Sequence, residues 1–362
     1  MHQKFYFTLL LLLITQLSFS QNVSTLISQP GTRFEAITWA PNGDIYTSDY
    51  TNGKVYKLNG QGDIQQIGDY SSTLGGGMDA AGNFYISEFN AGQIIKFDTA
   101  DNASVYTSGL LGPAGILIDD VNQIMYVANY SGNRISKIDM TAANPTPTTL
   151  ASGGLINGPD GLVFSPEGDL ISANFNNNSV QRITPEGEVT RFATLTGSQN
   201  SGYLVLREDR YIITGAGTPK IFQMALDGTV RPYAGRGGIG GANGTLNEST
   251  FDLPNGIALS PSGDSLVIAE STTAGRIRLI TGLGEITNIE DLNFIQQVNV
   301  YPNPTSDFLQ IELTLEQPDS LRIQLLDMTG KQLGVLLKQD KASGQISAQV
   351  ALPRAITAGT YL

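Results

Sequence analysis

Short runs in which apolar and polar residues alternate fill most of this chain, punctuated by glycine-bearing turns, and the whole pattern recurs at roughly 40-residue spacing. The clearest copy is GPDGLVFSPEGDLISANFNNNSVQRITPEGEVTRFA (158–193): a tight loop, an apolar strand, a turn, a second strand, a polar loop, a third strand, a turn and a fourth strand. Turns between the first and second strands recur as PNGD (41–44), AAGN (80–83), DVNQ (120–123), PEGD (166–169), EDR (208–210) and PSGD (261–264). Gly or Asn in these turns is expected to supply the positive φ of a tight hairpin. The third strands end in VYKL, IIKF, ISKI, VQRI, IFQM and IRLI, β-branched and aromatic runs suited to a pleated sheet. Repetition of a four-strand unit predicts an all-β, six-bladed β-propeller over residues 21–285. The copy at 199–233 is the most degenerate. The sixth unit has three clear strands, and the fourth is expected from Val23–Ile27, which would close the ring and hide its edges. A competing strand, Glu285–Ile289, would close nothing.

Beyond a linker at 286–297 the pattern changes. VNVYPNPTSDFLQIELTL (298–315) and SLRIQLLDMTGKQLGVLL (320–337) alternate with few glycines, which predicts a small Ig-like β-sandwich over 298–362. Residues 1–20 read as a signal peptide: His2 and Lys4 precede an apolar run from Phe5 to Leu17, and Ser18-Phe19-Ser20 offers small residues for cleavage. The run is short and wrongly flanked for a membrane span, so no integral membrane segment is expected in the mature chain.

Composition then narrows the chemistry. The chain has no cysteine and one histidine, His2, which leaves with the signal peptide. A histidine base, a Ser-His-Asp triad, a thiolate nucleophile and an ordinary zinc or copper site are thereby excluded from the mature protein. Carboxylates, amides, hydroxyls and carbonyls remain, and the hard cation they favour is calcium. Loss of Lys4 takes the 21 basic residues to 20 against 33 acidic, a net −13, which disfavours nucleic acid and anionic lipid as partners.

A propeller brings equivalent positions of its blades to one central mouth. Aligned on their turns, the units place Glu35, Leu74, Ala114, Asp160, Ser201 and Asn255 just before the Gly or Ala that starts the first strand. Glu35, Asp160 and Asn255 carry oxygen ligands and form a candidate calcium site. For Asp160 and Asn255 a plain turn role before glycine is equally open. A second ring, Asp49-Tyr50, Glu88-Phe89, Asn129-Tyr130 and Asn174-Phe175, ends the second strands. It reads as a ligand-binding polar ring with an aromatic rim, or as loop caps and interblade packing. The basic residues at 57, 96, 137 and 182 read as solvated or interblade ion pairs. GRGGIGGANG (235–244) lacks the strand-before, helix-after context of a phosphate loop and reads as a long interblade loop.

These residues carry resemblances. GPAGILIDDVNQIMYVANYSGNRISKID (112–139) resembles an NHL repeat, and AGRGGIGGANGTLNESTFDLPNGIALS (234–260) the run between NHL blades. FEAITWAPNGDIYTSDYTNGKVYKLNGQG (34–62) resembles the first blade of the gluconolactonase/regucalcin (SMP-30-like) family. That resemblance implies a metal, often calcium, held by Glu35, Asp160 and Asn255, with Asp160 doubling as general base for lactone hydrolysis. In that family the PNG-like blade precedes the PDG-like blade; here Asp160 comes first. The tail, with VYPNP (300–304), Asp327-x-x-Gly330-Lys331 and GTYL (359–362), resembles the C-terminal sorting domain of the type IX secretion system of Bacteroidota. Such domains continue past GTYL, so the resemblance implies a truncated tail. It also implies an extracellular or surface location, and the secretion machinery as partner. Two functions follow as expectations: a propeller that binds a small molecule, glycan or protein at its mouth without catalysis, or a calcium-dependent lactone or ester hydrolase.

Overall fold

A computed structural model describes residues 21–59, 62–283, 295–301, 308–326 and 332–351. The predicted signal peptide (1–20), the competing strand at 285–289, the Met328–Lys331 turn and GTYL lie outside the described residues. The chain divides into two units, Ser20–Gly284 and a C-terminal one from Glu285 to Leu362.

Six antiparallel sheets make the first unit. Five consist of four strands in chain order. Blade one is Phe34–Trp39, Ile45–Asp49, Lys54–Leu58 and Ile64–Asp69; blade two runs from Thr73 to Ser108, blade three from Pro113 to Ser152, blade four from Pro159 to Thr194 and blade five from Leu204 to Ala234. Blade six combines Pro254–Leu259, Leu266–Glu270 and Arg276–Thr281 with the N-terminal strand Asn22–Ser28, which pairs antiparallel with Arg276–Thr281. The expected closure is therefore formed, and Gly244–Thr245 adds a short outer bridge to it.

The first strand of each blade packs against the first strands of its neighbours, which puts these strands at the centre. Apolar clusters sit at the six blade junctions; Tyr46, Phe84, Ile86 and Phe97 fill the one between blades one and two, and Ile257, Ile268, Ile280 and Val23 help fill the one between blades five and six. Second strands such as Ile45–Asp49 and Leu170–Asn174 are buried at every residue because each blade buries both faces against its neighbours.

The hairpins fall where the turn pattern puts them. Positive φ occurs at Gly43, Gly82, Gly168 and Gly263, and at Gln123 and Glu208 in the two blades without a turn glycine. In DVNQ the strained position is thus Gln123; Asn122 instead donates its backbone N–H and side-chain amide to Asp119.

In the C-terminal unit Ile295–Tyr301, Phe308–Leu326 and Gln332–Ala351 form one three-stranded antiparallel sheet. Its first strand begins inside the segment read as linker. Leu309, Ile311 and Leu313 are buried alternately along the middle strand, as are Ile346 and Val350 opposite. The second layer that a sandwich requires is not formed among the described residues.

Candidate functional site

Five of the six inner strands, all but that of blade five, carry a β-bulge at one equivalent position. Register slips between Phe34 and Ile37, Thr73 and Gly76, Pro113 and Ile116, Pro159 and Leu162, and Pro254 and Ile257. Two residues there oppose one on the partner strand: Glu35-Ala36, Leu74-Gly75, Ala114-Gly115, Asp160-Gly161 and Asn255-Gly256. A bulge bends the strand and re-aims its side chains. In four of the five the second residue is glycine, Ala36 being the exception, because the strands crowd at the axis. A Cβ on Gly115 would lie 2.1 Å from the Asp160 carbonyl oxygen, and one on Gly256 2.2 Å from that of Glu35. Glycine at the second place and a free side chain at the first are thus one device.

A cavity of about 370 Å³ opens at this end. Glu35, Asp160 and Asn255 line its floor, only 7 %, 3 % and 3 % exposed. The Asn255 Nδ2 donates to Glu35 Oε1 at 2.5 Å, tying blade six to blade one. Glu35 Oε2, Asp160 Oδ1 and Asn255 Oδ1 are all buried without a hydrogen-bond partner. Burying a polar oxygen unpaired is costly, and three such oxygens meet at this one cavity. Burial pushes the Asp160 carboxyl up to about 8, reinforced by the negative charge of Glu35. Burial likewise raises Glu35, against the pull of Ser271, Asn255 and the Arg33 charge. Two carboxylates and an amide oxygen suit a hard cation with oxygen ligands. No group of three or more Asp, Glu, His or Cys gathers among the described residues, so any cation here would rely on the amide and on non-protein oxygens for the rest of its shell.

Blade five departs from the pattern. Ser201 is spent on the scaffold, its hydroxyl donating to the Asn174 carbonyl at 2.8 Å. Tyr203, which does not line the cavity, packs behind Asp160 instead. Its buried hydroxyl sits beside Asp160, close enough to favour the carboxylate yet outside hydrogen-bond geometry. Burial and the charges of Asp160 and Glu35 push that phenol well above its ordinary range. Tyr203 was not legible in the sequence because the blade-five alignment is degenerate. The signal was there in retrospect: Gly202 holds the close-approach position, where a Cβ would lie 2.4 Å from Asn255 Oδ1.

The second ring separates into two roles. In three of its four polar residues the side-chain oxygen caps a loop. Asp49 Oδ1 accepts from the backbone N–H of Arg33, Thr51 and Asn52, Glu88 Oε1 from that of Ser71, and Asn129 Oδ1 from that of Leu111. Asn174 donates its amide to the Leu155 carbonyl and Ser179 Oγ. None of these four lines the cavity, whereas Tyr50, Phe89, Tyr130 and Phe175 do. Those rings form a continuous arc with centroid separations of 6.4, 6.0 and 5.9 Å. Arg33, which the sequence did not single out, caps the arc with its guanidinium 5.9 Å from the Tyr50 ring centroid. Elsewhere around the mouth, Ala216, Gly217, Leu253 and Ser271 line the cavity without aromatics.

Fold and site together define a six-bladed propeller with a buried acid-amide cluster beneath an aromatic-walled mouth. Residues 75–205 match the family model of the SMP-30/gluconolactonase/LRE-like region, and residues 299–362 that of the secretion system C-terminal sorting domain. The first match includes Asp160 and Tyr203 but not Glu35 or Asn255. The chain is thus a six-bladed propeller with a region similar to the SMP-30/gluconolactonase family, followed by a sorting domain for type IX secretion to the cell surface or extracellular space. No curated protein matches it. Among solved structures it is similar to a streptogramin B lyase (16 % identity, TM-score 0.54, covering 74 % of this chain and 99 % of that one). It is also similar to a gluconolactonase from Xanthomonas campestris (12 %, 0.58, 72 % and 89 %) and to a Bacteroides thetaiotaomicron protein of unknown function (16 %, 0.61, 72 % and 76 %). At these identities the likeness concerns the fold alone. Among the described residues no helix is long and apolar enough to cross a membrane.

Proposed function

We propose that this is a surface-displayed or secreted binding propeller whose mouth takes a small ring-bearing ligand above a divalent cation, calcium by preference, held by Glu35, Asp160 and Asn255. The observation that carries this reading is the set of three buried, unpartnered oxygens, contributed by three different blades to one cavity floor. Such a cation would neutralise two carboxylates that otherwise repel each other, and it would polarise a ligand oxygen. The aromatic wall supplies apolar contact for the ligand.

Binding rather than catalysis is favoured by what surrounds the cluster. The chain's one histidine, His2, lies in the segment read as a signal peptide, whereas a virginiamycin B lyase from Staphylococcus aureus of similar fold is described as catalytically inactive in a histidine-to-alanine form. Lyase chemistry of that kind has no counterpart here. One observation supports hydrolysis as the second reading: Asp160 keeps a free carboxylate oxygen at the cavity floor, where it could take a proton from water.

Calorimetric titration of calcium into the purified propeller separates these readings. Glu35→Gln or Asp160→Asn is expected to weaken calcium at least about tenfold, or about 1.4 kcal/mol. Unchanged affinity in both variants would refute the cation site. Calcium-dependent hydrolysis of a sugar lactone that disappears in Asp160→Asn would establish the second reading in place of the first.

A further inference from the structure

Arg33 stands out in a chain whose net charge is −12. It lines the cavity, and no carboxylate pairs with it among the described residues. Two of its five N–H donors reach Ser271, Nε to the carbonyl and Nη2 to the hydroxyl, both at 3.2 Å, which anchors the guanidinium at the lip. A fixed, partly desolvated guanidinium without an acidic partner is suited to a carboxylate or phosphate on a ligand.

Its placement adds direction. The guanidinium sits at the Tyr50 end of the arc, so charge recognition lies at one end and ring contact extends from it toward Phe175. Successive rings are tilted by 78°, 58° and 66°. A flat polycyclic aromatic needs a continuous platform, which those tilts deny it. Puckered rings joined in a chain, with C–H groups on their faces and edges, can meet alternating aromatic faces and edges. The volume, about 370 Å³, lies at the small end of the range for enclosed ligands, roughly 300–1,000 Å³, which suits one or two six-membered rings.

The floor settles which group goes where. Glu35 and Asp160 would repel an anion unless a cation offsets them, and a cation held by two carboxylates and one amide keeps coordination positions for ligand oxygens. A uronate ring offers a carboxylate and neighbouring hydroxyls as hard oxygens on a puckered frame.

We propose that the mouth is a receptor for a short uronate saccharide, its carboxylate shared between Arg33 and the cation at Glu35, Asp160 and Asn255, and its rings laid along Tyr50, Phe89, Tyr130 and Phe175. This assignment rests on the cation reading above. Uronate and calcium then bind with positive linkage, each raising the affinity of the other by the same factor.

The test is titration of the full chain with digalacturonate, a neutral disaccharide of the same length, and benzoate, each in calcium and in EDTA. Digalacturonate is expected to bind in calcium and to lose at least about tenfold in EDTA, with calcium gaining the same factor when digalacturonate is present. Arg33→Gln is expected to erase the preference for digalacturonate over the neutral disaccharide. Phe89→Leu, a milder change at the centre of the arc, is expected to weaken both sugars. Equal binding of the neutral sugar by the unaltered protein, tighter binding of benzoate, or a preference that survives Arg33→Gln would each overturn the proposal. Calcium bound through Glu35 and Asp160 with no response to digalacturonate would overturn it alone. Failure of calcium itself would overturn the cation reading and this proposal together.

Discussion

Asp160 shows how a single residue ties stability to the site. In metal-free protein its carboxyl is pushed up to about 8 from an ordinary 3.8, first by burial and then by the charge of Glu35. An unfolded chain releases this proton near the ordinary value, and the folded chain retains it. The folded state therefore binds more protons across the window, and stability falls as pH rises from the carboxylate range toward about 8. Glu35, also raised, acts in the same direction. Exposed turn carboxylates such as Asp119 and Asp264, whose hydrogen bonds hold them low, lose their contribution only as pH falls below the usual range, so the two effects separate. In EDTA the melting temperature is expected to decline from pH 5 to pH 8, and Asp160→Asn should flatten that decline. A variant whose curve runs parallel to the parent would show that the carboxyl is not buried as described. The three floor residues were legible because each breaks the repeat with an oxygen side chain. Arg33 and Tyr203 were not: an arginine before a strand looks like any surface arginine, and Tyr203 lies where blade five loses its register.

At the level of the strand, the bulge is the device that converts a scaffold into a site. Turns were readable because glycine, asparagine and aspartate leave a local chemical mark. The bulges left only a glycine whose purpose depends on the neighbouring blade, which no single repeat can reveal. Caps in the second ring show the same limit: Asp49 and Asn129 have the composition of a polar binding ring, yet their oxygens satisfy backbone N–H groups of the loop entering the same blade. The distinction between turn glycine and axis glycine is measurable. Gly168 adopts φ +94 with nothing near a hypothetical Cβ, so Gly168→Ala should cost about 1 kcal/mol, a backbone effect. Gly115→Ala drives its Cβ to 2.1 Å from the Asp160 carbonyl oxygen and should cost about 3 kcal/mol or more. Because the displaced backbone carries Asp160, the same variant should also weaken calcium. Denaturant unfolding with a calcium titration checks both; equal costs for the two substitutions would contradict the crowded axis.

Ring closure decides whether these blades act as one molecule. The strand Asn22–Ser28 seals the last edge, buries Val23 at the junction of blades five and six, and brings the Ser24 carbonyl to Arg278 Nε at 3.4 Å. Arg278 is fully buried, held by Glu270, the carbonyls of Thr250 and Ala242, and Asn243, so it fastens the glycine-rich loop as well as the strand. Deleting residues 21–28 would expose the backbone of Arg276–Thr281 as a free sheet edge and loosen the packing around a buried cation, both recognised routes to association and unfolding. The melting temperature is expected to fall by about 10 °C or more, a loss of a few kcal/mol at roughly 2–4 °C per kcal/mol for a domain of this size, with soluble aggregates in gel filtration. A chain ended at Gly284 should melt with the parent, because the propeller unit spans Ser20–Gly284 by itself. A synthetic peptide of residues 21–29, added to the deleted form, is expected to dock as the missing strand and raise its melting temperature in proportion to the logarithm of peptide concentration. A deletion that melts with the parent, or one that the peptide leaves unchanged, would mean that the ring holds without its closing strand.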